Sequence, residues 1–400
     1  MSDLLSIEKA LMHVLDAVSV VPDSQRVSLL EALGLVLAEP VVSSIDVPPA
    51  DNSAMDGYAL RAEDSSASLV VSQRIPAGHP AQPLDIATAA RIFTGAVIPP
   101  GADTVVMQED CSEVNGKVSF SSAVHRNQNI RLRGQDVRAG ETILPPGRVL
   151  RPQDLGLLAS VGRSDVDVYR PLRVAMLSTG DELVEPGEGT FGEGEIYNSN
   201  RYTLAGLLRG LHMEPVDYGI IPDSPEATAE ALIEAAQNAD CVITTGGVSV
   251  GEEDHVKNQV ERLGRLDLWK LAIKPGKPLA FGRIAETPFI GLPGNPSSVF
   301  VTFCLIARPF LMKRQGVDEP AAPSLQARAL FTVRKAGRRQ EYLRVTVEAA
   351  SDGLRATRYA NQSSGVLRSV SASNALAIIP AGRTVTEGEL VDVLLLDLLV

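Results

Sequence analysis

Aromatic residues are scarce in this chain, at 4% of the sequence with a single tryptophan, which argues against a surface built from stacked rings. Cysteine is scarcer. Cys111, Cys241 and Cys304 stand far apart and form no CxxC pair, so neither a disulfide framework nor a thiolate zinc site is available, and a reducing compartment suits the chain. Basic residues are outnumbered, 37 Lys and Arg against 49 Asp and Glu, for a formal charge of −12. With no basic stripe to neutralise phosphates, general nucleic-acid binding is disfavoured, and an anionic ligand must be held by local groups or a bridging metal. Long apolar runs are also missing. The longest, residues 297–312, is cut by Arg308 and Pro309 well short of the ~20 residues a bilayer requires, and reads as a buried helix. The N-terminus carries acids where a signal peptide carries basic residues. The expectation is a soluble cytoplasmic protein with no nucleic-acid and no membrane partner.

What is present is a chain of 400 residues, enough for two to four domains. Helical periodicity marks "SIEKALMHVLDAV" and "VSLLEALGLVLAE" in the first 40 residues, and again "RPQDLGLLASVG" at 151–162. Between them, from about 45 to 145, short β-like runs alternate with turn residues. From Arg173 strands and helices alternate, with a Ser-capped helix after Ser224 and a long helix after Asn295, which implies a largely parallel sheet covered on both faces. "DEPAAPS" (318–324) reads as a linker, and the remainder alternates like the strands of a small β-barrel.

Ligand sites in parallel sheets gather beyond the carboxyl ends of the strands, which selects the loops starting at Ser178, Pro222 and Thr245. The third, "TTGGVSVGEED", follows a strand with Gly246 and Gly247 and continues through Ser249 and Gly251 into a helix, a pattern suited to a phosphate or another oxyanion. It is neither a Walker A loop nor a GxGxxG fingerprint, and the bland alternative is a strand-to-helix turn. The other two loops bring Asp181, Glu182 and Asp223, and the glycine loop ends on Glu252, Glu253 and Asp254. Acids beside an anion cradle repel the ligand unless a cation intervenes, and Mg²⁺ suits that arrangement. "KLAIKPGKPLAFG" supplies Lys274 and Lys277 on either side of a Pro-Gly turn. In the β-rich segment, Asp51, Asp56, Thr94, Arg131, Arg133 and Asp136 sit in polar turns that carry no catalytic signature alone.

Seven stretches in order, "PPADNSAMDGYA", "TGAVIPPGADTVVMQE", "STGDEL", "GEIYNSNRYTLAGLL", "TTGGVSVGEEDHVK", "KPGKPLAFG" and "GLPGNPSS", resemble the molybdopterin molybdotransferase family, the group that includes the gephyrin E-domain. The resemblance implies a homodimer of four-domain subunits. Its expected divisions are a discontinuous helical linker domain (1–44 and 146–170), a β-rich insert (45–145), a three-layer α/β/α molybdopterin-binding domain (171–317) and a C-terminal β-barrel (318–400). The implied reaction inserts molybdate into adenylyl-molybdopterin, with Mg²⁺-dependent release of AMP and molybdenum cofactor. An upstream adenylyltransferase and a downstream molybdoenzyme or carrier are implied as partners. Carried over by motif, Gly246, Gly247, Ser249 and Gly251 hold the phosphate end of the pterin substrate. Glu182, Asp223 and Asp254 are the acidic cleft residues and Mg²⁺ ligands. Lys274, Lys277, Arg344 and Ser364 face molybdate. Asp56, Thr94, Arg131 and Asp136 act from the insert across the dimer. His255 departs from the family, which often has an aromatic residue at that position. Two other readings remain: a molybdopterin adenylyltransferase sharing the glycine loop, and a gephyrin-like scaffold that binds a partner peptide. The insert and the barrel weigh against the first, and the lack of a fused cofactor domain weighs against the second.

Overall fold

The structure, a computed structural model, describes residues 4–18, 22–187, 192–247 and 255–399. Helix α1 (Ile7–Asp16) starts where the Ser6 hydroxyl accepts the Lys9 N–H, satisfying one of the orphan donors of its first turn. Its buried stripe of Ile7, Ala10 and Val14 packs into the same cluster as Phe310 and Leu271, so α1 docks on the α/β core. The helix expected over 27–39 does not form. Ser24–Ser28 instead pairs antiparallel with Asp165–Tyr169, whose other edge takes Val36–Leu37. The segment has the composition of a helix, but long-range pairing overrides propensity here. Gly34 turns the chain at φ +76°, where a Cβ would lie 2.1 Å from His212 Nε2.

Helix α2 (Pro152–Ser160) returns after the insert, as its periodicity predicts, and packs Leu158 against Leu37, Val166 and Val168. Its first turn is fixed by Asp154, a buried carboxylate that accepts from Arg148 Nη2 at 2.8 Å and from the Arg151 N–H at 3.0 Å. Burial pushes this carboxyl up, but the two guanidiniums and the amide outweigh it and hold it at about 2. A depressed carboxyl contributes stability that is present above the unfolded pKa and lost as pH falls through the folded one. Asp154→Asn is therefore expected to cost about 2 kcal/mol at neutral pH. Denaturant titrations should show the gap to wild type closing as pH falls from about 4 to about 2.

The inserted β-rich segment is a six-stranded sheet in the order 104–107, 57–60, 88–92, 69–75, 117–120, 111–114, with apolar residues on both faces.

The α/β domain opens with β1 (Arg173–Thr179), followed by β2 (Leu183–Val184), β3 (Ile196–Tyr197) and α3 (Ser199–Gly210). Then come β4 (Glu214–Ile221), α4 (Pro225–Asn238), β5 (Cys241–Thr245) and α5 (His255–Leu263). Next are β6 (Gly264–Lys270), β7 (Pro278–Ile284), β8 (Thr287–Leu292), α6 (Pro296–Thr302) and α7 (Arg308–Arg314). The sheet order is β4-β1-β5-β8-β7-β6; the first four strands run parallel, and β7 runs antiparallel to both of its neighbours, β8 and β6. Alternation along the strands produces three layers. Val174 and Met176 of β1 face one core with α1, α3 and α7, while Ala175 and Leu177 face the other with α4 and α5. A π-helical stretch, Phe303–Ala307, joins α6 to α7, and the whole run is buried.

A bidentate pair at 2.7 Å, Arg170 to Asp240, ties the linker region to the start of β5. Arg308 donates to the carbonyls of Pro320 and Leu398, tying the chain after 317 to α7. The C-terminal strands close as expected. Gln340–Ala350, Gly353–Arg358, Leu325–Ala329, Leu390–Leu395 and Ala375–Ile379 follow in order, and the last pairs back with the first. No helix among the described residues is long and apolar enough to cross a membrane.

Candidate active site

The three loops selected by the carboxyl-end rule meet at one edge of the sheet. β1, β4 and β5 deliver Thr179, Gly180, Glu182, Asp223, Gly246 and Gly247 to one cleft of about 510 Å³, floored by Gly294, Asn295 and Pro296 ahead of α6. Glu182 folds back over Gly180, where a Cβ would lie 2.4 Å from its carboxylate. Across the cleft, His255 at the start of α5 lies 4.0 Å from Asp223 through Nε2. Ser249, Gly251 and Asp254, with Glu252 and Glu253, lie outside the described residues.

The glycine pair works differently from a simple anion cradle. The Gly246 N–H is committed to the Leu292 carbonyl at 3.1 Å, extending the β5–β8 contact. What the pair supplies is room at positive φ. A Cβ on Gly246 (φ +93°) would lie 2.9 Å from the Thr179 carbonyl, and one on Gly247 (φ +64°) 2.5 Å from Val256 Cγ2. Two buried oxygens at the cleft, Thr179 Oγ1 and Asn200 Oδ1, have no hydrogen-bond partner among the described residues.

The lysines, Arg344 and Ser364 do not line this cleft. Residues Ile273–Lys274 pair with Gln340–Glu341 of the barrel, and Lys274 Nζ lies 3.2 Å from Glu341 Oε1. Gly276 (φ +98°) rests on α6, with a would-be Cβ 2.3 Å from Thr302 Oγ1, and Lys277 beyond it is exposed. The Ser297 N–H donates to the Ser364 carbonyl at 3.0 Å. Arg344 is 1% exposed and donates to Ser369 Oγ, the Tyr342 carbonyl and the Ser363 carbonyl. These partners are neutral, and burial lowers the guanidinium to about 10. Arg344 thus braces the loop that carries Ser364 onto α6, and it is buried where the sequence reading had it facing molybdate. The loop 294–297 joins the two clusters, one end in the acidic cleft and the other against Ser364.

None of the insert candidates lines this cleft. Asp56 Oδ1 accepts the Thr94 N–H and hydroxyl, both at 2.8 Å, and these bonds hold its carboxyl below the usual carboxylate range. Arg131 is exposed on a short strand paired with Asn52–Ser53, and Asp136 is exposed nearby. Cys241 and Cys304 are buried, which pushes their thiols up to about 12; Cys111 is pushed to about 11. No thiolate nucleophile is poised among them.

Three family models match in order: the MoeA N-terminal region (domain I and II) over residues 5–162, a probable molybdopterin binding domain over 175–313, and the MoeA C-terminal region (domain IV) over 326–396. A molybdopterin molybdenumtransferase of Haemophilus influenzae is 43% identical over 85% of this chain and 85% of its own length. The chain belongs to the MoeA family. A second relative, a molybdopterin molybdenumtransferase of Nostoc sp., is 39% identical over 94% of this chain and 89% of its own length. The crystal structure of the molybdopterin biosynthesis moeA protein from Pyrococcus horikoshii OT3 matches with a TM-score of 0.86 at 32% identity. It covers 98% of this chain and 100% of that one, so the MoeA arrangement extends over the whole molecule.

The cleft's donor set fits a hard divalent cation. Glu182 and Asp223 offer carboxylate oxygens, and Mg²⁺ needs only one or two of these when phosphate and water fill its other positions. Among the described residues no group of three or more His, Cys, Asp or Glu converges on one point. The sequence reading missed Ile196, Tyr197, Asn198 and Asn200, which also line the cleft. The motif "EIYNSN" holds all four, and Asn198 also caps α3.

Proposed function

We propose that this protein is a molybdopterin molybdenumtransferase that inserts molybdate into adenylyl-molybdopterin and releases AMP. The observation that carries the reading is the cleft at the carboxyl ends of β1, β4 and β5, where two carboxylates face a glycine turn and the start of α5. The phosphate end of the substrate sits at the Gly246–Gly247 turn, where the start of α5 adds partial positive charge. Glu182 and Asp223, with Asp254, hold Mg²⁺, which when bound screens the carboxylates and polarises the pyrophosphate. Lys274 and Lys277 compensate molybdate charge, together with Ser364. The loop 294–297 sets the distance between the two groups.

In this reading two copies pair, so that Asp56, Thr94, Arg131 and Asp136 of one insert complete the cleft of the other. The enzyme works in the cytoplasm. It takes its substrate from an adenylyltransferase and passes its product to a molybdoenzyme or a carrier.

The test incubates pure protein with adenylyl-molybdopterin, Mg²⁺ and molybdate. The expected result is AMP release that depends on molybdate, together with a product that activates an apo-molybdoenzyme. AMP release indifferent to molybdate, with no active cofactor formed, would overturn the reading.

A further inference from the structure

The two lysines of the 271–277 turn are not equivalent. The backbone of the turn is pinned along its length. The Leu271 N–H donates to the Lys277 carbonyl and the Ala272 N–H to the Leu5 carbonyl, both at 2.7 Å. The Ala272 carbonyl accepts the Gln340 N–H at 2.8 Å, and the Ile273 carbonyl accepts from Arg339 Nη1 at 3.0 Å. Pro275 and Gly276 are buried, whereas Lys274 and Lys277 are exposed. With the backbone held, the lysine side chains are the parts of this turn that an arriving ligand can move. Lys277 forms no ion pair among the described residues, and Lys274 forms one.

Its partner is Glu341, with Nζ 3.2 Å from Oε1, the lysine side chain 49% exposed and the carboxylate side chain only 19%. Glu341 is paired on both sides, in parallel register with Lys274 and in antiparallel register with Ile379. Residues paired in register point to the same face of a sheet, so the contact is built into the strand pairing. Gly337 closes over the carboxylate, where a Cβ would lie 3.1 Å from Oε1. The carboxylate is therefore the fixed member of the pair and the lysine the arm that swings. Exposed ion pairs contribute little to stability. This one bears on binding instead, because a lysine in contact with a carboxylate presents little net charge to an arriving anion.

We infer that Glu341 is the resident counter-ion of Lys274, which an oxyanion must displace before that lysine can hold it. The inference rests on the transferase reading for the identity of the oxyanion, molybdate. Lys277 meets the anion unopposed, and Lys274 joins it only by exchanging the Glu341 carboxylate for oxygens of the ligand. Glu341 is thus a positioning residue that acts through Lys274 and weakens oxyanion binding.

The experiment titrates molybdate alone, with no pterin substrate present, into wild type, Glu341→Gln, Lys274→Met and the double variant, at low and at physiological salt. Glu341→Gln is expected to tighten molybdate binding by about fivefold, because it removes a negative charge and releases the ammonium. Lys274→Met should weaken binding, and adding Glu341→Gln to Lys274→Met should change it by less than about twofold. The gap between wild type and Glu341→Gln narrows as salt rises, which a packing change would not produce. In turnover, the KM for molybdate falls while kcat and the KM for the pterin substrate stay within about twofold. Gln matches Glu in size, and Glu341→Met repeats the measurement if Glu341→Gln proves unstable. Unchanged or weaker molybdate binding in a folded Glu341 variant overturns the counter-ion, as does an equal gain in the Lys274→Met background. Both leave the transferase reading standing, because the dependence of AMP release on molybdate tests that separately. Wild-type binding in Lys274→Met removes this lysine from the oxyanion site and overturns the inference with it. Tighter binding in Glu341→Gln, alongside a wild type whose AMP release ignores molybdate, supports the counter-ion and sinks the transferase reading instead.

Discussion

Asp223→Asn is expected to lower molybdate-dependent AMP release by about 10²-fold or more, in the range seen when one preorganised charge-stabilising group is removed from an active site. The position makes this a clean experiment. Asp223 lies just past β4 with a side chain 39% exposed, and among the described residues its one close ionic neighbour is His255 at 4.0 Å. An exposed carboxylate with no short ion pair contributes little to folding, so the melting temperature should stay close to wild type. A cation ligand leaves a second trace. The Mg²⁺ concentration for half-maximal rate should rise in Asp223→Asn and in Glu182→Gln, whereas a residue that only positions water would lower kcat at unchanged Mg²⁺ dependence. Asp154→Asn provides the opposite control, costing stability while leaving the rate per folded molecule intact. Full activity in Asp223→Asn would remove this carboxylate from the site and leave the cation to other donors.

The convergence of the three loops in one cleft has a simple cause. Strands 173–179, 214–221 and 241–245 are short buried runs bounded by cap and turn residues, so both their existence and their direction can be read locally, and direction alone sends their following loops to one edge. Burial cannot be read that way. Arg344 looks like any arginine in the sequence, but strand pairing carries it inward among Tyr342, Ser363 and Ser369, where it props a loop. Residues 27–39 mislead for a related reason. Their Leu and Ala spacing suits a helix, and the strand that captures the preceding residues, 165–169, lies well over a hundred positions away. The part of the cleft lined by Ile196 and Tyr197 was hidden by a competing signal, since Asn198 is at once the cap of α3 and the neighbour of two cleft side chains. Glycine spacing marks the turn but not its construction, because only the fold shows the Gly246 N–H spent on Leu292.

That construction sets the second large effect. Gly246→Ala is expected to reduce kcat/KM by about tenfold or more, and Gly247→Ala by less. Both glycines sit at positive φ, which costs a substituted residue on the order of 1 kcal/mol or more. The obstacles differ. On Gly246 the added Cβ meets the Thr179 carbonyl at 2.9 Å, a backbone atom at the end of a strand paired on both sides, and it cannot retreat. Relief must come from the turn itself moving away from β1, which in the proposed reading misplaces the phosphate end of the substrate relative to Glu182. On Gly247 the added Cβ meets Val256 Cγ2 at 2.5 Å, and Val256 Cβ and Thr179 Oγ1 at 2.9 Å each. Trimming Val256 removes only the nearest of these three contacts. Val256→Ala is therefore predicted to restore a part of the activity of Gly247→Ala and none of that of Gly246→Ala. Because Val256 is buried, its truncation lowers the melting temperature in every background, so rescue is read from kcat/KM of the folded protein. Equal losses in the two glycine variants, with no rescue of either, would mean that the turn needs flexibility or free amides more than the space measured here.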